Sequence, residues 1–499
     1  MSAQPCLTAI LAFSRHWHTS SITMLKRKVR SRSMRHVVVL GGGITGLAAA
    51  YTLTQAGRDA LHVTIVEADK RIGGKIRTRS FAGVPVDLGP EAFVARGPEV
   101  RAMYRALGLE EALSAPVASK TYVWTRGRLR SLPEGLVYGI PTTPWAIARS
   151  GLLSPVGIAR AGLDMLLPRS SLPPDPSITQ VIGPRFGREV VERLVEPLLG
   201  GIHAGRADRL SMASVAPHLA AAARQHRSLM LGLRSARPLR ETKAAPMLLS
   251  ITGGLERLVD RLHDALHNVD IRTGACATAL SLLPDGGYQV FLDQAAPIIA
   301  DAVILATPSW ATARIIQNIA PEISSRLDHI NYASVVTVLL AYPASAFTRS
   351  AEDSGFLVPR VDGHLLTACT FCTNKWPHAR STEKIIVRCS AGRFGDERAL
   401  QFDDESLVDH LHSELACALG IRERPQERLV TRWERALPQY ETGHQARVAE
   451  IETALARWPG LVLAGASYHG VGISSCIQDG IQAAHRAQTY LATIRQSVP

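Results

Sequence analysis

The spacing of apolar positions along the chain changes several times, and each change predicts an element. Val37, Val38, Val39 and Leu40 form an unbroken apolar run, the pattern of a short strand buried on both faces. From Leu47 the spacing continues through Ala50, Tyr51 and Leu53, which predicts a helix up to Gly57. Residues 62–66 return to β-rich composition and predict a second strand ending at Glu67. Between Gly135 and Pro246 the texture is helical, broken repeatedly by Pro and Gly. Gly253 and Gly254 then open a helix with Leu255, Leu258, Val259 and Leu262 on one face. The runs VDIRTGACATALSLL and DGGYQVFL read as two strands joined by an Asp-Gly-Gly turn, and AVILAT (302–307) as a further buried strand. Strand-like runs at 335–342 (VVTVLLAY) and 384–394 (KIIVRCSAGRF) predict a second, antiparallel sheet. A last strand at 461–464 leads through Gly470-Val471-Gly472 into a helix beginning near Ile473 or Ser474.

The turns between these elements carry the candidate chemistry. Gly41, Gly43 and Gly46 stand as G-x-G-x-x-G between the first strand and its helix. The first allows the tight bend, the second lets backbone approach a pyrophosphate, and the third lets helix and strand pack closely. Glu67 follows Gly46 by 21 residues, where such a fold places a partner for a ribose hydroxyl. The acid disfavours a 2′-phosphate, and NAD and FAD both satisfy the glycines. Next come Arg71, Gly73, Gly74, Lys75 and Arg77, whose flexible backbone and cations suit a diphosphate. The Gly89-Pro90 turn offers backbone to a ring system, with Pro98 and Glu99 starting the following helix. The N-terminus of the last helix would stabilise negative charge on a reduced flavin.

Composition narrows the class. At 499 residues with 46% hydrophobic content, the chain is long enough for two or three domains with a large core. Seven scattered cysteines form no disulfide framework and favour a reducing compartment. Cys369 and Cys372 make a lone C-x-x-C inside an apolar run, which reads as structural rather than as a metal or redox site. Of the formal net charge of +13, seven positive charges fall in the first 35 residues without an acid, leaving about six for the body. That distribution gives nucleic-acid binding little support. The basic segment 1–33 resembles a transit peptide in composition, but is read here as an extension upstream of Met34. No apolar run reaches the 18 residues of a membrane span. Residues 136–169 mix apolar positions with Arg149, Arg160 and Arg169; a buried helical lobe with solvated arginines is favoured over a helix lying on a membrane surface.

Taken together, the fingerprint, Glu67, RIGGKIRT, the Gly89-Pro90 turn, LVEPLLGGIHAG (194–205), TRWERALPQY (431–440) and the closing LAGASYHGVGISSCIQDG resemble the flavin-dependent porphyrinogen oxidases, from about residue 34 to the end. The first two motifs are shared with the wider amine oxidase superfamily. NKWPHAR, VRCSAGRFGDERAL and RALPQYETGHQARV are most similar to the Gram-positive bacterial branch, which oxidises coproporphyrinogen III to coproporphyrin III. The mitochondrial and plastid branch takes protoporphyrinogen IX and remains the alternative, together with another amine-oxidase-like flavoenzyme.

The resemblance implies an α/β protein with a Rossmann-type FAD-binding domain, a mixed-sheet substrate domain and an inserted helical lobe. The corresponding segments are 34–115, 247–310 and 445–499; 116–135 and 311–444; and 136–246. It implies six-electron oxidation in heme biosynthesis, with FAD accepting hydride and oxygen reoxidising it to hydrogen peroxide. By match to the family motifs, FAD would be held by Gly41, Gly42, Gly43, Ile44, Thr45, Gly46, Glu67, Lys75, Gly89, Pro90, Glu91, Ala92, Ala277, Ala466, Val471, Gly472 and Ile473. Arg96 is the candidate for a substrate propionate, and Tyr468 and His469 are candidates for a proton relay. No catalytic residue and no metal ligand is assigned. The expected setting is the cytoplasm, with peripheral membrane contact and a homodimer left open.

Overall fold

The computed structural model describes residues 34–55, 61–94, 97–118, 120–133, 135–142, 144–169, 171–235, 248–284, 286–347 and 353–496. The basic segment 1–33 and Arg96 lie outside them. A five-stranded parallel sheet runs in the order Asp270–Thr273, Leu61–Glu67, Arg35–Leu40, Ala302–Leu305, Leu461–Leu463. Its central strand is apolar throughout because both faces are covered. Val37 and Val39 face a cluster with Leu47, Leu53 and Ile477, while Val38 and Leu40 face one with Ile316, Ile323 and Leu327. Each such side chain contributes about 1.5–3 kcal/mol on burial.

Helix Ile44–Gln55 packs against the last helix, Ile473–Gln496. Gly480 makes that approach feasible, since a Cβ there would lie 2.3 Å from the Thr45 carbonyl oxygen. Residues from the two ends of the chain thus meet over the carboxyl end of the central strand. Its neighbours lead away on opposite sides, and this switch point is where open α/β sheets form their ligand crevice.

The run expected as one strand, VDIRTGACATALSLL, is in fact two. Asp270–Thr273 extends the parallel sheet, and Ala277–Leu282 begins a separate three-stranded antiparallel sheet. Gly274, at φ +66°, turns the chain between them, and its N–H donates to the Asp69 carbonyl at 2.8 Å.

The second large sheet has seven strands, in the order Glu427–Pro438, Tyr332–Pro343, Lys384–Ala391, Leu366–Phe371, Asp353–Leu357, Lys120–Thr125, Arg128–Ser131. It is antiparallel except where Asp353–Leu357 meets Lys120–Thr125. Alternation along Tyr332–Pro343 assigns its faces: Val336, Val338, Leu340 and Tyr342 pack with helix Asp404–Leu419. Leu339 and Ala341 pack with Phe81, Val86 and Leu88 of the hairpin formed by Thr78–Phe81 and Val84–Asp87. Cys369 and Cys372 are buried in these packed layers, and no cluster of metal-ligating side chains occurs among the described residues.

Short helices from Pro144–Ser150 to Leu229–Ser235 share their own apolar cluster. Inside it the Arg185 guanidinium donates to Asp164 at 2.5 Å, and Asp164 also accepts from Ser228 Oγ and the Met230 N–H, so the buried carboxylate is held by several donors. A π-turn at Val191–Val195 leads into helix Glu196–His203. No helix among the described residues is long and apolar enough to cross a membrane.

Candidate functional site

The glycines divide their work between fold and ligand. Gly41 has φ +106°, and a Cβ there would lie 2.7 Å from the Ala306 carbonyl oxygen. A Cβ on Gly46 would lie 1.9 Å from the Gly41 carbonyl oxygen, so this glycine lets the helix sit on the strand. Gly43 differs from both: a Cβ there would meet no atom of the described residues within 4 Å. Nothing among the described residues asks for glycine at 43, and the space beside it is a cradle in front of the unpaired amides that open helix Ile44–Gln55.

The Glu67 carboxylate is fixed at the rim of this cradle. Its Oε2 accepts the Gly42 N–H at 2.6 Å and its Oε1 accepts the Asp69 N–H at 2.8 Å, leaving lone pairs on both oxygens for a diol. The Gly73 N–H donates to the Gly42 carbonyl at 2.8 Å, which docks the basic loop on the glycine turn. Arg71 is committed to that loop: its guanidinium donates to the carbonyls of Gly74 and Ile76 and pairs with Glu256 at 2.8 Å. Lys75 is exposed to solvent, yet surrounding protein encloses it enough that burial lowers its pKa. Its neighbours Gly74 and Gly73 place it beside the glycine turn, where Gly74 approaches Gly43. Cys476, in the first turn of the last helix, lies against Lys75 and Thr45.

Residues 88–94 are gripped from several sides. The Leu88 carbonyl accepts from Thr337 Oγ1 at 3.0 Å and from Trp433 Nε1 at 3.2 Å. The Gly89 carbonyl accepts from Arg388, and a Cβ on Gly89 would lie 1.9 Å from the Lys75 carbonyl oxygen. Glu91 pairs with Lys375 and, at 3.5 Å, with Arg388. Burial alone would raise the Glu91 carboxyl; the Lys375 ammonium and the Arg388 guanidinium reverse this and hold it below the usual range. The Val94 carbonyl accepts Ser474 Oγ at 2.6 Å, tying the turn to the start of the last helix. Ala466 presents its carbonyl to Tyr440 OH at 2.6 Å, and the Gly465 N–H before it is held by buried Asp479 at 2.6 Å. Val471 and Gly472 remain partly open, whereas Ile473 is buried in the core.

The two proton-relay candidates sit behind this turn. His469 pairs with Asp479 at 3.0 Å and with Glu452 at 3.6 Å, and the Asp479 hydrogen bond raises its pKa. These contacts turn it toward helices His444–Leu455 and Ile473–Gln496. The Tyr468 ring is buried with Val448 and Ile451, and burial pushes its hydroxyl pKa far up. Ala277 opens its strand two residues beyond Ala275, whose N–H donates to the Glu67 carbonyl at 3.0 Å. Lys375, Arg388, Thr337 and Trp433 were given no site role from sequence. The available signal was Arg388 itself, a cation inside an otherwise apolar strand.

A parallel sheet with a glycine cradle at its switch point defines a dinucleotide-binding fold. Residues 44–488 match the flavin containing amine oxidoreductase family, and the chain belongs to that family. It is 36% identical over 470 residues to the coproporphyrinogen III oxidase of Bacillus subtilis, covering 92% of this chain and 99% of that one. The coproporphyrinogen III oxidase of Mycobacterium leprae is 35% identical over 92% of this chain and 99% of its own. Bovine protoporphyrinogen oxidase is 30% identical over 91% of this chain and 98% of its own. A crystal structure from Exiguobacterium sp. 255-15 superposes with a TM-score of 0.81 at 32% identity, covering 92% of this chain and 99% of that one. Cyclohexylamine oxidase from Brevibacterium oxydans shares the fold, with a TM-score of 0.66 at 19% identity over 92% and 99%.

Proposed function

We propose that this protein is an FAD-dependent oxidase that converts coproporphyrinogen III to coproporphyrin III. The observation that carries the reading is the match to the Bacillus subtilis enzyme along nearly the whole of both chains. Bound in the cleft, FAD would supply hydride acceptance, with oxygen as final oxidant and hydrogen peroxide as the by-product of removing six electrons. The Gly43 cradle and the amides of Ile44 and Thr45 would take the pyrophosphate, with Glu67 on the ribose and Lys75 as the cleft's cation. Residues 89–92 and the opening turn at Val471, Gly472 and Ile473 would border the ring, where the N-terminus of a helix favours negative charge.

The macrocycle would lie on the face of the seven-stranded sheet that carries Arg388, Thr370, Ser390 and Leu357, which neighbour one another through Arg388 with Thr370, and Ser390 and Leu357 with Ala368. Gly201 sits over Leu357, which brings helix Glu196–His203 across this face, and Ile202 beside it is 53% exposed. An exposed isoleucine here would offer an apolar wall to a flat ligand. All described cysteines are free, in keeping with action in the reducing cytoplasm.

The test is porphyrin fluorescence in air with purified, flavin-loaded protein, comparing coproporphyrinogen III with protoporphyrinogen IX. Faster appearance of coproporphyrin is expected. The similarity to the bovine enzyme makes protoporphyrinogen IX the second reading, and a preference for it would displace the first. Turnover of an amine with neither porphyrinogen oxidised would remove both.

A further inference from the structure

Four charged groups meet behind residues 89–92. Lys375 ends the short helix Cys372–Lys375, Arg388 projects from strand Lys384–Ala391, and both converge on Glu91. None of the three side chains is more than 20% exposed. Asp87, one turn earlier in the chain, is buried and lies within electrostatic reach of both Arg388 and Glu91. Above about pH 6, where Asp87 is ionised as well as Glu91, two negative charges balance two positive ones. The group is otherwise locked in place: Arg388 also donates to the Gly89 carbonyl, and the Lys375 ammonium lies 5.3 Å from the Trp376 ring centre.

We propose that Glu91, Lys375 and Arg388 form a positioning cluster through which the seven-stranded sheet fixes the ring-bordering turn and tunes the reduction potential of the bound flavin. This rests on the reading above that residues 89–92 border the ring. None of the three is a catalytic residue, because each acts through the turn or through its field. Charges in a poorly hydrated interior act over several ångströms, and a reduced flavin carries more negative charge than an oxidised one. A cation left unbalanced behind the turn therefore favours reduction, and an unbalanced anion opposes it.

The experiment measures the flavin midpoint potential by dye-linked reduction, followed in the visible spectrum, in the wild type, E91Q, K375M and E91D. E91Q leaves one uncompensated cation and shifts the potential upward. K375M leaves one uncompensated anion and shifts it downward. E91D keeps the charge but shortens its reach, so its potential stays near that of the wild type while its flavin dissociation constant rises; it also reports whether position 91 tolerates change. Potentials of E91Q and K375M that move in the same direction, or not at all, overturn the proposal. A wild-type protein that holds no flavin would instead defeat the functional reading on which it rests.

Discussion

Gly43 and Gly46 share a motif but answer to different constraints. Gly46 is required by the protein's own backbone, whereas Gly43 borders space that no described atom fills. Gly43→Val should therefore leave the stability of the flavin-free protein within about 0.5 kcal/mol of wild type. It should weaken flavin binding by about 3 kcal/mol, on the order of a hundredfold. Fluorescence titration of the apoprotein with FAD checks this, and full flavin occupancy in the variant would remove Gly43 from the pyrophosphate site. Asp87 gives a second test. Burial pushes its carboxyl up to about 6 from the usual 3.8, so the protonated form is the one the fold favours. Its contribution to stability is complete below pH 3.8 and is lost as pH rises through about 6, a change of about 3 kcal/mol. An asparagine oxygen can still accept from Thr78 Oγ1 and the Leu255 N–H, so Asp87→Asn should gain on the wild type between pH 4 and pH 8. Urea denaturation at the two pH values measures the difference; a pH-independent offset would show that Asp87 is not the titrating group.

At the level of elements, legibility tracked how local the constraint is. The first strand, the glycine turn and the start of the last helix were readable because each is specified by adjacent residues. The single strand expected across residues 269–283 failed for the opposite reason. Apolar composition continues through it, but Gly274 turns the chain so that its halves join different sheets. The grip on residues 88–94 was equally hidden: Thr337, Lys375, Arg388 and Trp433 lie hundreds of residues away, and only tertiary structure brings them to one turn. Gly480 belongs with these, since nothing near it in the helical sequence explains a glycine. A valine there must displace helix Ile473–Gln496 from Thr45 and should cost about 1–3 kcal/mol. Because that helix carries the residues proposed for the flavin end of the site, Gly480→Val should weaken flavin binding as well as lower the denaturation midpoint. A variant destabilised but with unchanged flavin affinity would mean that the helix start is held independently of its packing.

Across the whole molecule, the parallel sheet, the seven-stranded sheet and the helical cluster between Pro144 and Ser235 each have a core of their own. The sequence periodicities foretold the kinds of element in each, though not how a turn in one would be held by side chains of another. The helical cluster shows this most plainly, because its buried pair of Asp164 and Arg185 looks in the sequence like two ordinary surface charges. The cradle proposed for the pyrophosphate is made by residues 41–46, while the proposed flavin end of the same site needs residues 466–473 and the helix that follows. A chain ending at Gly472 should fail to retain flavin on gel filtration even with FAD present throughout synthesis; retention would show that the last helix is dispensable for binding.

The contact between helices Ile44–Gln55 and Ile473–Gln496 also has a consequence in time. A polypeptide leaving the ribosome displays its glycine turn early but must wait for more than 400 further residues before the opposing helix emerges. On the proposed site, flavin capture would have to follow the emergence of that helix, and the apolar surface of the first helix needs shielding until then. Cells short of flavin would accumulate a fully made protein with an open cleft rather than a stalled, half-made one.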